Sequence, residues 1–201
     1  MKDSLNSMHI VVYGPEGSGK GTQAKILGEF LKLPVYTTGD LVREAAQNDL
    51  GEIGKVARKA LSSGYYLSDE EVFILLQQRL SAPSAQKGFI LDGFPRTLAQ
   101  AKLLLQAAKK YGYKIDKLIY INITDEIATT RLLKRKRPIF PGSLILHDTP
   151  ERISQRLKIY RKLEKEVLRF FRGKNILIEI NGNNTPAKVF KDILRRLNLP
   201  Q

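Results

Sequence analysis

The chain has 201 residues, of which 42% are hydrophobic and 27% charged, as expected for one folded domain rather than a disordered segment. It contains no cysteine, which excludes disulfides, thiolate zinc sites and cysteine nucleophiles, so we expect no structural zinc. No apolar run is long enough to span a bilayer and the first residues lack a secretory signal, so a cytoplasmic protein is expected. The formal net charge of +14 indicates an anionic partner, for which nucleic acid, an acidic membrane surface and small polyphosphates all qualify.

Five short runs of β-branched or aromatic residues predict strands, with helical periodicity between them. The strands lie near residues 9–13, 34–36, 88–92, 117–123 and 175–180. This alternation predicts an α/β fold with a central five-stranded parallel sheet and helices on both faces. Because ligands bind beyond the carboxyl ends of such strands, we expect the functional residues directly after them. No repeat, low-complexity tract or linker divides the chain, which predicts a single domain over residues 1–201.

The first predicted strand leads into GPEGSGKGT at residues 14–22 and then into a helical pattern. Strand, glycine-rich loop and helix in this order are the context that a phosphate-binding loop requires. The glycines let backbone N–H groups point inward, the helix start adds partial positive charge, and Lys20 supplies a full charge for terminal phosphates. Gly21 follows the lysine, so the hydroxyl comes one place later than usual, at Thr22, which puts its direct contact with magnesium in doubt.

Polar residues also follow the second and third predicted strands. Thr38 is predicted to cap a helix, and Arg43 on its first turns is either a phosphate ligand or part of a solvated face. Asp92 ends the third strand, where a carboxylate can hold the water shell of magnesium opposite a phosphate loop. Arg96 follows a rigid Phe-Pro turn, which suits bidentate contact with a phosphate.

The second half of the chain supplies further arginines. Arg131 and Arg135 share one helix face, while the basic run at 134–137 is equally typical of a solvated helix end. Arg156 lies on a long helix that begins near Pro150. Three other arginines of that helix are interpreted as surface residues, namely Arg152, Arg161 and Arg169. Further helix starts are predicted at Ser68 and Thr124.

Four motifs together resemble the adenylate kinases, the best-known nucleoside monophosphate kinases. They are GPEGSGKGTQ, TTGDLVRE, GFILDGFPRT with Gln100, and RLLKR at 131–135. They occur in the family's order and at about its spacing, and the similarity covers nearly the whole chain from His9. The resemblance implies a three-layer P-loop fold with an AMP-binding flap at 38–67 and a short lid at 136–148. It also implies reversible phosphoryl transfer from MgATP to AMP, giving two ADP.

The resemblance further implies residues for two nucleotides and for magnesium. ATP would contact Gly17, Ser18, Gly19, Lys20, Gly21, Thr22, Arg131, Arg135 and Asn184. AMP would contact Thr38, Arg43, Tyr65, Leu67, Gly93, Arg96, Gln100 and Arg156. Magnesium would be positioned through water by Asp40 and Asp92. The catalytic cations would be Lys20, Arg96, Arg135 and Arg156.

The lid departs from the family pattern. Family members usually carry an Arg-x-Asp-Asp run here, whereas this chain has Ile145-Leu146-His147-Asp148. One phosphate-binding arginine and one supporting carboxylate are therefore missing, which would lower the rate by about 10²-fold if no other cation replaces them. Lys136 and Arg137 are the candidate replacements. His147 is interpreted as a lid-packing residue, because phosphoryl transfer between nucleotides needs no strong base.

Two alternative functions stay open from the sequence. The first is a UMP/CMP or broad-specificity nucleoside monophosphate kinase. The resemblance favours AMP instead, since in this family the Thr38 position is threonine in AMP kinases but often alanine in UMP/CMP kinases, and an amide at the Gln100 position reads adenine. The net charge and the altered lid also suit a nucleotide-dependent RNA-binding or ribosome-assembly factor, in which Arg43, Arg96 and Gln100 would have no role. We therefore expect ATP and AMP as partners of a monomer, with no membrane or nucleic-acid partner.

Overall fold

The computed structural model describes residues 7–63, 67–136, 146 and 148–200. The strands in this part of the chain are β1 (His9–Tyr13), β2 (Val35–Thr37), β3 (Phe89–Asp92), β4 (Lys117–Asn122) and β5 (Leu177–Asn181). The helices are α1 (Lys20–Leu31), α2 (Thr38–Asn48), α3 (Glu52–Ser63), α4 (Asp69–Leu80), α5 (Leu98–Lys110), α6 (Asp125–Arg135), α7 (Pro150–Gly173) and α8 (Pro186–Arg196). A short 3₁₀ helix spans Pro83–Lys87.

The five strands form one parallel sheet in the order β2-β3-β1-β4-β5, which confirms the predicted fold class. Every residue of β1 is buried, because this central strand is covered on both faces. The last strand begins two residues later than predicted. Asn175 has a φ of 58° and is therefore left-handed rather than extended, so the strand starts only at Leu177.

The core consists of two apolar layers, one on each face of the sheet. Alternate residues of β1 point to opposite faces, so Val11 and Ile10 belong to different layers. The Val11 layer packs against α4, α5 and α7, whereas the Ile10 layer packs against α1 and α8. This three-layer arrangement leaves the carboxyl ends of the strands at a single edge, where the candidate active site lies. None of the helices in the described ranges is long and apolar enough to cross a membrane.

Most of the predicted helix starts are confirmed, but one cap is wrong. Ser68 forms a capping box with Glu71, and Thr124 caps α6 as expected. Thr37, not Thr38, caps α2, since its side chain accepts a hydrogen bond from the backbone N–H of Asp40 at 3.0 Å. Thr37 is still extended and pairs with Asp92 in the sheet, so Thr38 becomes the first residue of the helix.

Arg161 was interpreted as a surface residue, and this is wrong. Its guanidinium donates to the backbone carbonyl of Ile123 at 2.6 Å and to carboxylates of Asp125 and Glu164, both at 2.8 Å. Glu164 in turn accepts from the buried Tyr120 hydroxyl at 2.9 Å. Arg161 therefore joins α7 to the β4–α6 connection, whereas Arg152 and Arg169 are exposed as predicted.

Candidate active site

The loop between β1 and α1 has the conformation of an anion-binding cradle. Gly17 has a φ of 84°, and a Cβ at this position would lie 2.9 Å from the backbone oxygen of Ala128, so only glycine fits. Gly21 is also constrained, because a Cβ there would lie 3.2 Å from Oδ2 of Asp92. The helix α1 begins at Lys20, so its first backbone N–H groups face the cradle and can bind phosphate oxygens.

Lys20 and Asp92 lie together at the carboxyl ends of adjacent strands. Val12 of β1 is paired with Asp92 of β3, and this register brings the carboxylate beneath the loop. Burial lowers the pKa of Lys20, and the charges of Asp92 and Glu16 oppose this shift. Burial likewise raises the pKa of Asp92 against the opposing charges of Lys20 and Arg96. The site therefore holds opposite charges on two half-buried side chains.

The two residues predicted to position magnesium, Asp92 and Asp40, differ in whether their carboxylates already accept hydrogen bonds from the protein. Oδ1 of Asp92 is buried and has no hydrogen-bond partner among the described residues, so it can accept from a metal-bound water. Asp40 instead accepts from Thr37 Oγ1 at 2.6 Å and from Arg43 Nη2 at 2.5 Å, and these bonds lower its pKa. Within the described residues no cluster of three His, Cys, Asp or Glu side chains that could hold a metal ion exists.

Arg135 and Arg156 are held together by one buried carboxylate. Arg135 donates to both oxygens of Asp148, at 2.8 and 3.0 Å, and Arg156 donates to one of them at 2.9 Å. The hydrogen bonds to Asp148 raise the pKa of Arg135. Because the Asp148 side chain is fully buried, both guanidinium groups have fixed positions before any ligand binds.

A cavity of about 270 Å³ lies in front of the phosphate-binding loop. Lys20, Arg96 and Arg156 all line it, so the fold brings together three of the four predicted catalytic cations. Arg135 is connected to the cavity through Asp148, which it shares with Arg156. Apolar side chains that include Leu132 form the remaining wall, and they reduce the access of water to a bound phosphate.

Arg131 lies behind the loop on the side of β4 and β5. It donates to the backbone carbonyl of Gly17 at 3.3 Å and to that of Gly182 at 3.0 Å. These contacts join the phosphate-binding loop to the turn after β5, which contains Asn184. The predicted ATP side of the site is therefore one connected surface.

On the opposite side, the residues predicted for AMP are only partly brought together. The hydroxyl of Thr38 is buried without a partner among the described residues, and a Cβ at Gly93 would lie 3.0 Å from it. Leu67 packs at the edge of the core. Arg43 is exposed, pairs with Asp40 and does not line the cavity. Tyr65 lies outside the described residues, so its predicted role stays a prediction.

Gln100 is buried, and both ends of its amide have protein partners. Its Oε1 accepts from the backbone N–H of Arg96 at 2.5 Å, and its Nε2 donates to Asp69 Oδ1 at 2.5 Å. The N–H of Arg96 can only donate and the carboxylate of Asp69 can only accept, so these two groups together determine which way the amide faces. An amide oxygen and an amide nitrogen can each make one further hydrogen bond, but Gln100 is only 2% exposed and does not line the cavity.

We expect Asp69→Asn to raise KM for AMP by about 10-fold with little change in kcat, because Gln100 would keep only the Arg96 N–H of the two groups that hold its amide. Steady-state kinetics with AMP as the varied substrate measures this. Glu70→Gln is the matched control, since Glu70 is exposed in the same first turn of α4. If KM for AMP changed equally in both variants, the effect would come from the loss of a negative charge near the positive end of the α4 dipole and not from Gln100.

Three residues of the site were not predicted. Glu16 and Asp148 contact the catalytic arginines, and Asp69 orients Gln100. The sequence feature that could have indicated Asp148 is that it is the one carboxylate that remains of the Arg-x-Asp-Asp pattern. The feature that could have indicated Glu16 is that it is an acidic side chain within an anion-binding loop.

The geometry agrees with the comparisons to known proteins. A family model described as adenylate kinase matches residues 12–176. The chain belongs to the adenylate kinase family. An adenylate kinase of Cyanothece sp. is 38% identical over 184 residues, which is 92% of each chain. The adenylate kinase of Archaeoglobus fulgidus is 32% identical, and the aligned part covers 92% of this chain and 96% of the relative. The adenylate kinase of Stenotrophomonas maltophilia is 36% identical, and the aligned part covers 87% of this chain and 91% of the relative.

Membership of this family confirms the predicted activity, and the protein is a nucleoside monophosphate kinase that uses ATP to phosphorylate AMP. Its binding partners are accordingly ATP and AMP. Ile145, His147 and Arg137 lie outside the described residues, so the replacement of the missing lid arginine stays a prediction.

Proposed function

We propose that ATP and AMP bind end to end across the cavity, with their phosphates meeting above Lys20. The triphosphate would be bound by the backbone of residues 17–22 and by Arg135, with Arg131 and Asn184 towards the base. The AMP phosphate would be bound by Arg96 and Arg156. The observation that carries this proposal is that Lys20, Arg96 and Arg156 line the same cavity.

In the proposed step, an oxygen of the AMP phosphate attacks the γ-phosphorus of ATP. The bond between the γ-phosphorus and the oxygen that bridges it to the β-phosphate breaks, and the electron pair of this bond stays on the departing ADP. Such transition states are loose, with charge spread over the transferred group. Fixed cations are therefore more useful than an acid or a base. Arg135 and Arg156 meet this requirement, because Asp148 holds both of them.

Magnesium bound with ATP would neutralise phosphate charge and hold the phosphate oxygens in one geometry. Asp92 suits this ion because its buried Oδ1 has no hydrogen-bond partner among the described residues. Asp40 would take part only after its ion pair with Arg43 opens. The same opening would free Arg43 to reach the AMP phosphate, so these two predicted residues would become available together.

We further propose that residues 38–67 and 136–148 close over the two nucleotides and that the active protein is a cytoplasmic monomer. Closure has a direct consequence, since a site that excludes water cannot hydrolyse ATP while it waits for AMP. ATP turnover without AMP should therefore be about 10²-fold slower than with AMP, or slower still. Appreciable ATPase activity without an acceptor would contradict a closing site.

Acceptor specificity tests the roles of Thr38 and Gln100. With ATP as donor, we expect kcat/KM for AMP to exceed that for UMP or CMP by about 10²-fold or more, because a buried amide discriminates by hydrogen bonding. Measuring ADP formation with each monophosphate under identical conditions gives this ratio. A preference for a pyrimidine acceptor would contradict the assignment of both residues.

A further inference from the structure

A carboxylate lies inside the phosphate-binding loop. Glu16 is two residues before Ser18 in the cradle, lines the cavity beside Lys20 and has a side chain that is 33% exposed. Its Oε2 is 3.3 Å from Nη1 of Arg156 and 3.5 Å from Nη2 of Arg135. The loop and the start of α1 attract anions, and the Glu16 carboxylate lines the same cavity as Lys20.

Glu16 and Asp148 contact the same two arginines but differ in character. Asp148 is fully buried and accepts hydrogen bonds of 2.8 to 3.0 Å, so it anchors both guanidinium groups. Glu16 makes longer contacts with them and lies on the side of the cavity. The arginines therefore have an anchor that does not depend on Glu16, and the Glu16 carboxylate lies where a ligand phosphate would approach.

We propose that Glu16 sets the affinity for nucleotides by occupying the place of a phosphate beside Arg135 and Arg156 and yielding it when ATP or AMP binds. This inference rests on the proposed function, which assigns Arg135 and Arg156 to phosphate binding. An incoming phosphate must first displace the Glu16 carboxylate from Arg135 and Arg156. The bound phosphate then remains close to the negative charge of Glu16. At the effective dielectric of a protein surface, such a repulsion weakens binding by about 10-fold or more.

The test removes the charge and keeps the shape. Glu16→Gln retains the side-chain length and one oxygen that can accept from Arg156, so the loop should fold as before. We expect ATP and inorganic tripolyphosphate, each titrated by calorimetry, to bind about 10-fold more tightly to this variant, with a smaller gain at high salt. Adenosine, which carries no phosphate, should bind with unchanged affinity.

Two further variants separate charge from contact. Glu16→Asp keeps the negative charge but shortens the side chain, so tripolyphosphate should bind about as in the original protein. Glu29→Gln makes the same change of net charge at an exposed position of α1 and should change tripolyphosphate affinity by less than about twofold.

Unchanged or weaker tripolyphosphate binding by Glu16→Gln would overturn the proposal and would make Glu16 an anchor for the arginines instead. Equal tightening by Glu29→Gln would also overturn it, because net charge alone would then explain the gain. These are binding measurements, so their failure is distinct from that of the proposed function. The latter is tested by acceptor kinetics of the unmodified protein.

Discussion

Lys20→Met is expected to lower kcat for ADP formation by about 10²- to 10³-fold. Lys20 is the one cation that the phosphate-binding loop itself contributes to the cavity, and it lies at the start of α1, where the phosphates are expected. Methionine has a similar length but carries no charge, so the transferred group would lose a fixed donor. Steady-state kinetics with saturating ATP and AMP measures the loss.

The same substitution has two opposing effects on stability. Burial lowers the pKa of Lys20, so methionine removes an unfavourable burial of charge, but it also leaves the Asp92 carboxylate without the cation that opposes the burial-induced rise in its own pKa. The midpoint of thermal unfolding should therefore change little. Lys25→Met is the control, because Lys25 is exposed on α1 and should leave both quantities unchanged. A Lys20→Met variant within about threefold of the original kcat would contradict the proposed role.

Asp148→Asn is expected to lower kcat by about 10²-fold, since two arginines would lose the charge that fixes them. Asparagine keeps the shape but provides only one accepting oxygen, whereas the carboxylate accepts three hydrogen bonds from Arg135 and Arg156. We also expect a loss of about 1–3 kcal/mol in the free energy of unfolding. Kinetics and chemical denaturation of the same preparation measure the two effects.

A matched control exists on α8, far from the site. Asp192 also bridges two cations, Lys188 and Arg195, at 2.7 and 2.9 Å. Asp192→Asn should leave kcat unchanged and should change stability little, because Lys188 and Arg195 are both more than half exposed and ion pairs with exposed cations contribute little. If Asp148→Asn lowered stability but kept the kcat of the folded fraction, Asp148 would have a structural role only.

The adenylate kinase family could be predicted from the sequence because its strongest signals are local. The nine residues from Gly14 to Thr22 contain the glycines, the lysine and the helix start of the phosphate-binding loop. The strands are short β-branched runs, and their alternation with helices allows few arrangements other than a parallel sheet. Local ambiguity explains the error at Thr37 and Thr38. Two adjacent threonines can both cap a helix, and pairing of Thr37 with Asp92 decides between them.

The roles of individual charged residues were harder to predict. Arg161 resembles its exposed neighbours in the sequence, yet it is partly buried because Ile123 and Asp125 of another segment contact it. Arg43 was expected at a phosphate, but in the structure it pairs with Asp40 three positions earlier. A helical pattern gives the face on which a side chain lies, but it does not give the partner that the side chain meets.

The sequence by itself determined the parallel α/β fold, the phosphate-binding loop and the family, because each depends on residue types and spacings within short segments. Only the tertiary structure decided which charges meet. Glu16, Arg135, Asp148 and Arg156 come from three separate parts of the chain, and Asp69 reaches Gln100 from another helix. Their contacts depend on how strands and helices pack, and electrostatic interactions depend on distance in space rather than on distance along the chain.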